Sequence, residues 1–128
     1  MKEKSCGCIV IEDGKVLLVK HNQGHWGFPK GHVEGNETEE ETAKREVKEE
    51  TNIDVEIIKG KRYTEEYITN KGNDKEVIYF IAKKISGEIK KQESEIENIE
   101  WVEIEEVENR LTYNNSKELF KKVLEEIK

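Results

Sequence analysis

Three glutamates in the acidic segment 31–53 are spaced so that they could hold a divalent metal ion. On a helix, Glu46, Glu49 and Glu50 stand at positions i, i+3 and i+4, so their carboxylates share one side. Like charges at this spacing repel, and the cost rises beside a core because desolvation disfavours the ionised forms. Oxygen donors without thiolate or imidazole suit Mg²⁺ or Mn²⁺. The alternative is an acidic helix surface that binds no metal, and the spacing alone does not decide between the two.

A helix over residues 38–51 must position these carboxylates. Beside them, Ala43 and Val47 form a narrow apolar stripe that can dock on a sheet. Asn52 follows where many helices end in a left-handed conformation, which asparagine tolerates. Two pairs can supply the N-cap and its reciprocal partner: Asn36 with Glu39, or Thr38 with Glu41.

The rest of the chain is rich in strand patterns. Alternating and β-branched residues predict strands, with turns at Asp13-Gly14 and at 70–74, in three segments: 7–21, 55–69 and 75–85. Residues 21–36 are expected to form a loop. After a mixed strand and loop region come two predicted helices, at 103–111 and 115–128. This order predicts one α+β domain over residues 1–128, with a mixed sheet between helices in an α/β/α sandwich.

Charge and cysteine content narrow the classes of partner. The 128 residues carry a net charge of −7, which disfavours electrostatic binding to nucleic acid or anionic lipid. No apolar run approaches the length of a membrane span, and we expect a cytoplasmic protein. Cys6 and Cys8 share one face of a strand and are expected to be small core residues rather than metal ligands.

The segment 31–53 resembles the Nudix box, G-x5-E-x7-R-E-U-x-E-E-x-G-U, where U is aliphatic. Eight of the nine specified positions match, from Gly31 and Glu37 through Arg45-Glu46-Val47 to Ile53. The departure is Asn52, where the box has glycine, and asparagine suits the same backbone geometry.

The resemblance extends beyond the box. Residues 25–34, HWGFPKGHVE, look like the HWxxPKGHxE lead-in of asymmetrical dinucleoside tetraphosphate hydrolases. Residues 77–82, VIYFIA, look like the YFxA strand of these enzymes. Glu95 lies where relatives carry an acidic residue outside the box.

The resemblance implies a mixed sheet between helices, and a hydrolase that cleaves phosphoric anhydride bonds with Mg²⁺ or Mn²⁺. It implies one group of metal ligands: Glu46, Glu49, Glu50, Glu95 and the backbone carbonyl of Lys30. The same glutamates are the expected catalytic residues together with Arg45, and Glu95 is either a ligand or the general base. Arg45 is expected to form an ion pair with Glu37. Expected substrate contacts are Lys30, His32 and Tyr79, although the alternation of Tyr79 with its strand neighbours equally predicts a core residue.

The resemblance implies that the chain hydrolyses a small nucleotide substrate, with diadenosine tetraphosphate cleaved to ATP and AMP. We expect a monomer or a dimer. Other substrates stay open: an RNA 5′-triphosphate end, a nucleotide sugar or a diphosphoinositol phosphate. A different class is a Nudix module that senses a nucleotide without turnover.

Overall fold

The computed structural model describes residues 2–127. Met1 and Lys128, the ends of the predicted domain, lie outside the described residues, and Lys128 is also the last residue of the predicted C-terminal helix. A 3₁₀ turn at Ile104–Glu106 precedes α2, and the strands and helices are, in chain order, β1 (Lys2–Glu12), β2 (Lys15–His21), β3 (Trp26–Gly27), β4 (Lys30–His32), α1 (Glu39–Thr51), β5 (Asp54–Ile68), β6 (Asp74–Ser86), β7 (Ile96–Glu103), α2 (Val107–Arg110) and α3 (Asn114–Ile127).

The strands form one mixed sheet in the order β3-β2-β1-β6-β5, with β4 also paired to β1 and β7 to β2. β1 and β6 run parallel, and the other pairings are antiparallel. The predicted turn at Asp13-Gly14 joins β1 to β2, with φ of 51° and 75° at its two residues. Both are positive, as a tight hairpin turn requires.

Each face of the sheet packs against a different helix. Within β1, Cys8 and Val10 belong to one buried cluster with Val47 of α1, whereas Ile9 belongs to the other with Phe120 of α3. Neighbouring residues divide in this way because side chains alternate across a strand. The predicted α/β/α sandwich is confirmed.

The two cysteines are core residues, as predicted. Cys6 and Cys8 are fully buried, and burial raises the pKa of their thiols to about 11 and about 12.

Helix α1 begins and ends as its sequence indicates. Of the two possible cap pairs the structure has Thr38 with Glu41: Thr38 Oγ1 accepts from the Glu41 N–H at 3.1 Å, and Glu41 Oε1 accepts from the Thr38 N–H at 2.8 Å. Such a cap stabilises a helix by about 1 kcal/mol. Asn52 takes the left-handed conformation, with φ of 67°.

The region predicted as loop, residues 21–36, contains two strands. β3 has two residues and β4 has three, too few to show any alternation in the sequence. β4 pairs with β1 through partners that include Gly31 with Cys6. The helix predicted at 103–111 divides into the 3₁₀ turn and α2. No helix within residues 2–127 is long and apolar enough to cross a membrane.

Candidate active site

Strand β4 lies against the side of α1 that carries the glutamates. A Cβ atom built on Gly31 would overlap the carboxylate of Glu46. Glycine at this position therefore lets the Glu46 carboxylate lie directly over the backbone of β4.

Glu50 is the most unusual charged residue of the site. It is 1% exposed, and its Oε1 atom is buried without a hydrogen-bond partner among the described residues. Burial raises its pKa to about 9, and the charge of Glu46 adds to the rise, while Lys30 opposes it through its charge and a backbone hydrogen bond. A buried oxygen with no partner is costly, and a cation beside it would remove that cost.

The other candidate ligands surround Glu50 at different depths. Burial also raises the pKa of Glu46, against the influence of Arg45. Glu49 is more open, with 42% of its side chain exposed. Glu95 lies in the turn before β7, and its charge raises the pKa of both Glu46 and Glu50.

Arg45 connects this group to the preceding loop. Its Nε donates to Glu37 Oε2 at 2.6 Å, which confirms the predicted ion pair, and its Nη2 donates to the His32 carbonyl at 2.9 Å. The hydrogen bonds from Arg45 lower the pKa of Glu37 to about 2. Arg45 Nη1 also donates to Glu49 at 3.0 Å, a contact that the i,i+4 spacing allows, and to Glu46 at 2.9 Å, which the spacing does not predict.

The carboxylates are close but not gathered around one point. Within residues 2–127, no three His, Cys, Asp or Glu side chains already stand at distances that would hold an ion. Arg45 accounts for part of this, because its guanidinium takes the oxygens of Glu46 and Glu49 that an ion would share. The donor set nevertheless fits a hard divalent cation, since it consists of oxygens and includes the partnerless Oε1 of Glu50.

The segment that carries Glu95 is attached to the C-terminal turn of α1. The Lys90 N–H donates to the Thr51 carbonyl at 3.0 Å, and the Gln92 N–H donates to the Glu50 carbonyl at 3.3 Å. These carbonyls have no partner within the helix, as at any helix end. At the other end of the segment, the Asn22 N–H donates to the Glu95 carbonyl at 2.9 Å, so backbone bonds on both sides position Glu95.

Two cationic or basic groups stand beside the loop. His32 is exposed, and its Nε2 lies 3.2 Å from Lys75 Nζ and 3.4 Å from Glu3 Oε1. Lys75 is mostly buried, and burial lowers its pKa. A lysine and a histidine side by side offer donors for an anionic group.

A cavity of about 510 Å³ adjoins the carboxylates. Lys30 lines it and also influences the pKa of Glu50, so it lies between the two regions. Aromatic rings and imidazoles form much of the wall: His21, His25, Trp26, Phe28, Tyr67, Tyr79 and Tyr113.

Rings at the cavity wall are already packed on one another. His21 and His25 stack with their centroids 4.4 Å apart, and Tyr113 lies 5.3 Å from His25. Burial, together with the charges of His25 and Lys30, lowers the pKa of His21 to about 4, so it is neutral at pH 7. Tyr79 is 1% exposed and meets Phe28 edge-on, which is the environment of a core residue.

The sequence model of the NUDIX domain matches residues 1–123. The chain belongs to the Nudix family. The resemblance to the Nudix box is confirmed. Two residues of the box have structural contacts described above: Gly31 lies against the Glu46 carboxylate, and Arg45 donates to Glu37.

Named Nudix relatives include hydrolases. The asymmetrical bis(5′-nucleosyl)-tetraphosphatase of Caenorhabditis elegans is 32% identical over 114 residues, covering 83% of this chain and 83% of that protein. The putative mutator protein MutT4 of Mycobacterium tuberculosis is 33% identical over 96 residues, covering 73% of this chain and 39% of that protein. The chain spans 39% to 40% of the length of MutT4 and of three Arabidopsis thaliana Nudix hydrolases that it also matches.

Solved structures share the fold of this chain. A binary complex of the C. elegans Ap4A hydrolase has a TM-score of 0.86 at 29% identity, covering 98% of this chain and 97% of that chain. The MutT protein from Methanosarcina mazei Go1 has a TM-score of 0.83 at 23% identity, a likeness of fold.

The Nudix fold brings together most of the residues singled out in the sequence. Arg45 and the three glutamates of α1 lie together, the Lys30 backbone reaches Glu50, and Glu95 stands close enough to influence them. The His32 ring lies beside Lys75 and Glu3.

Sequence reasoning missed Lys75 and most of the cavity. Lys75 alternates with Val77 and Tyr79 along β6, a signal that would have placed it on the face of Tyr79. The cavity wall had no such signal, because its residues come from separate segments that only the fold brings together.

Proposed function

We propose that this Nudix domain is a Mg²⁺-dependent pyrophosphohydrolase that cleaves dinucleoside tetraphosphates, with diadenosine tetraphosphate giving ATP and AMP. One observation carries the proposal: the buried carboxylate of Glu50, with an oxygen lacking a partner, lies within the influence of Lys30, which lines a cavity rich in aromatic rings. The family and the named tetraphosphatase relatives support a hydrolase of phosphoric anhydride bonds.

The residues of α1 would hold the metal. Glu46, Glu49 and Glu50 are the proposed side-chain ligands, with the Lys30 carbonyl beside them. Mg²⁺ or Mn²⁺ bound there supplies charge neutralisation and lowers the pKa of a bound water. To bind the metal, Glu49 would give up its ion pair with Arg45. Arg45 would still be bonded to Glu37, and this bond would hold the loop in place.

Glu95 has two possible roles, ligand or general base. As the base, its carboxylate would accept the proton of the attacking water while the water oxygen bonds to phosphorus. The bridging P–O bond then breaks, and the leaving phosphate carries its electron pair away. The exposed turn that holds Glu95 leaves room for water, which both roles require.

The substrate would extend from the carboxylates into the cavity. Lys30, His32 and Lys75 are the proposed phosphate contacts, and they offset the repulsion of a polyanion by a chain of net charge −7. A nucleobase would lie in the cavity, where stacking on an aromatic ring contributes about 1–3 kcal/mol. The cytoplasm, where such nucleotides occur, is the proposed location.

The test is a Mg²⁺-dependent product screen with purified protein over dinucleoside polyphosphates, triphosphorylated RNA and nucleotide sugars. We expect the highest kcat/KM on tetraphosphates, and incorporation of ¹⁸O from labelled water into one product phosphate. Glu49→Gln should lower kcat by about a thousandfold or more. Glu40→Gln, the same change on an exposed part of α1, should leave it unchanged.

Other results would redirect the proposal. Turnover only of RNA ends or nucleotide sugars would keep the chemistry and replace the substrate. Tight nucleotide binding with no turnover at any Mg²⁺ concentration would make the domain a sensor. Wild-type kcat in Glu49→Gln would remove Glu49 from the site.

A further inference from the structure

A carboxylate lies inside the aromatic cavity, on a strand face that is otherwise apolar or aromatic. Tyr63, Glu65 and Tyr67 follow one another at every second position of β5, so their side chains share one face. Glu65 is only 8% exposed, and it lines the cavity. The proposed side-chain ligands on α1, Glu46, Glu49 and Glu50, do not line this cavity.

Packing alone does not require an acid at this position. Within residues 2–127, Glu65 forms no ion pair at 4.0 Å or less, whereas Glu37 and Glu39 both do. The charge of Lys30 and the side chain of Ser116 act on its carboxyl group. Burial raises the pKa of Glu65, and these two neighbours oppose the rise by favouring the ionised form. A leucine would cover the same surface at lower cost.

The chemistry of an ionised carboxylate indicates what it would bind. A carboxylate only accepts hydrogen bonds, and its two oxygens match two donors side by side. Guanine places such a pair, N1–H and the 2-amino group, on one edge. Adenine and cytosine offer a donor beside an acceptor, and uracil offers one donor between two acceptors.

We propose that Glu65 selects a guanine base in the cavity by accepting hydrogen bonds from its N1–H and 2-amino group. This inference rests on the proposed function, which places the phosphates of the substrate at Lys30 and the carboxylates of α1. Among dinucleoside tetraphosphates, it predicts that those with a guanosine end are cleaved more efficiently than diadenosine tetraphosphate.

The test compares kcat/KM for diguanosine and diadenosine tetraphosphate. We expect the wild-type protein to favour the guanosine substrate by about tenfold or more, the discrimination of one bidentate pair. Glu65→Gln replaces two acceptors by one acceptor and one donor, which matches the adenine edge, so the preference should shift toward adenine. A ratio of two substrates on one protein sample is insensitive to any loss of folded protein.

A matched control stands next along the strand. Glu66→Gln makes the same change at an exposed position on the opposite face of β5 and should leave the ratio unchanged. Equal kcat/KM for the two substrates in the wild type, or the same ratio in the wild type and Glu65→Gln, would overturn the inference.

A binding measurement separates this inference from the proposed function. Calorimetry with GMP and AMP, in metal-free buffer, needs no turnover. A GMP preference that Glu65→Gln abolishes, in a protein that hydrolyses no tetraphosphate, overturns the proposed function and supports the base selection. Hydrolysis of tetraphosphates together with equal binding of GMP and AMP overturns the base selection alone.

Discussion

Glutamates at the two ends of helix α1 have opposite environments, and their pKa values shift in opposite directions. Near the N-terminus, Glu39 binds Arg62 at 2.8 Å and Lys4 at 2.6 Å, and these bonds lower its pKa to about 2. Near the C-terminus, Glu50 is buried with an oxygen that has no hydrogen-bond partner within residues 2–127, and its pKa rises to about 9. Both residues stand on one helix, three turns apart.

The difference separates a structural use of glutamate from a functional one. Glu39 joins α1 to β1 and β5 and has its cations supplied by the fold. Glu50 and Glu46 are desolvated by burial, and the cationic side chains of the described residues do not pair with all of their carboxylate oxygens. Folds tolerate such a cost mainly where function requires it, which is why we propose the C-terminal half of α1 as the site of an external cation.

After the loss expected for Glu49→Gln, the next largest effect comes from moving one carboxylate of the C-terminal half. In Gly31→Ala, the new Cβ must displace the Glu46 carboxylate, which is the mobile end of a side chain. Moving a catalytic group by about 1 Å can lower the reaction rate about a hundredfold. We expect kcat to fall to that extent while the melting temperature changes little. Full activity would show that Glu46 need not lie over β4.

A second effect concerns the cation itself. Mg²⁺ at a hundred times its dissociation constant should stabilise the wild-type protein by about 2.7 kcal/mol, measured by thermal unfolding. Glu50→Gln should remove most of this gain. In metal-free buffer at pH 7 the variant should be at least as stable as the wild type, because folding no longer has to protonate a buried acid whose pKa rises to about 9. An unchanged Mg²⁺ shift in Glu50→Gln would take Glu50 out of the metal site.

The smallest effect is expected at the N-terminal half. The pKa of Glu39 is lowered from 4.5 to about 2, so its contribution to stability is complete above pH 4.5 and is lost as the pH falls through 2. Glu39→Gln should lower the free energy of unfolding at pH 7 by at most about 1 kcal/mol, since its partners are well exposed.

Glu39→Gln should affect stability and not activity. The variant should keep wild-type kcat, and its free energy of unfolding should depend less steeply on pH between 4.5 and 2 than that of the wild type. A loss of activity without a loss of stability would mean that the two halves of α1 are not separate in function.

How much the sequence predicts follows from how local each signal is. The helix, the left-handed Asn52 and the shared side of the three glutamates all arise within a few turns, where spacing fixes geometry. The sequence narrows the cap to two pairs, and the structure has the one at Thr38. The pairing of Arg45 with Glu37 is also close in sequence, and the family resemblance implied it.

What stayed hidden depends on contacts between distant segments. The sequence does not indicate that β4 would pair with β1, because three residues show no period. The contact of Arg45 with Glu46 depends on the rotamer of a long side chain, which spacing does not determine. Glu65 becomes notable only once the cavity closes over it.

The backbone bonds from Lys90 and Gln92 to the last turn of α1 have a further consequence. They tie the start of the segment that carries Glu95 to the helix end that holds Glu50, while the Glu95 carbonyl accepts a hydrogen bond from the Asn22 N–H at 2.9 Å. The fourth acid is therefore positioned from two sides, by the end of α1 and by the turn after β2. Loss of the α1 contacts alone would leave Glu95 bonded to that turn, so both attachments together set its place beside Glu50.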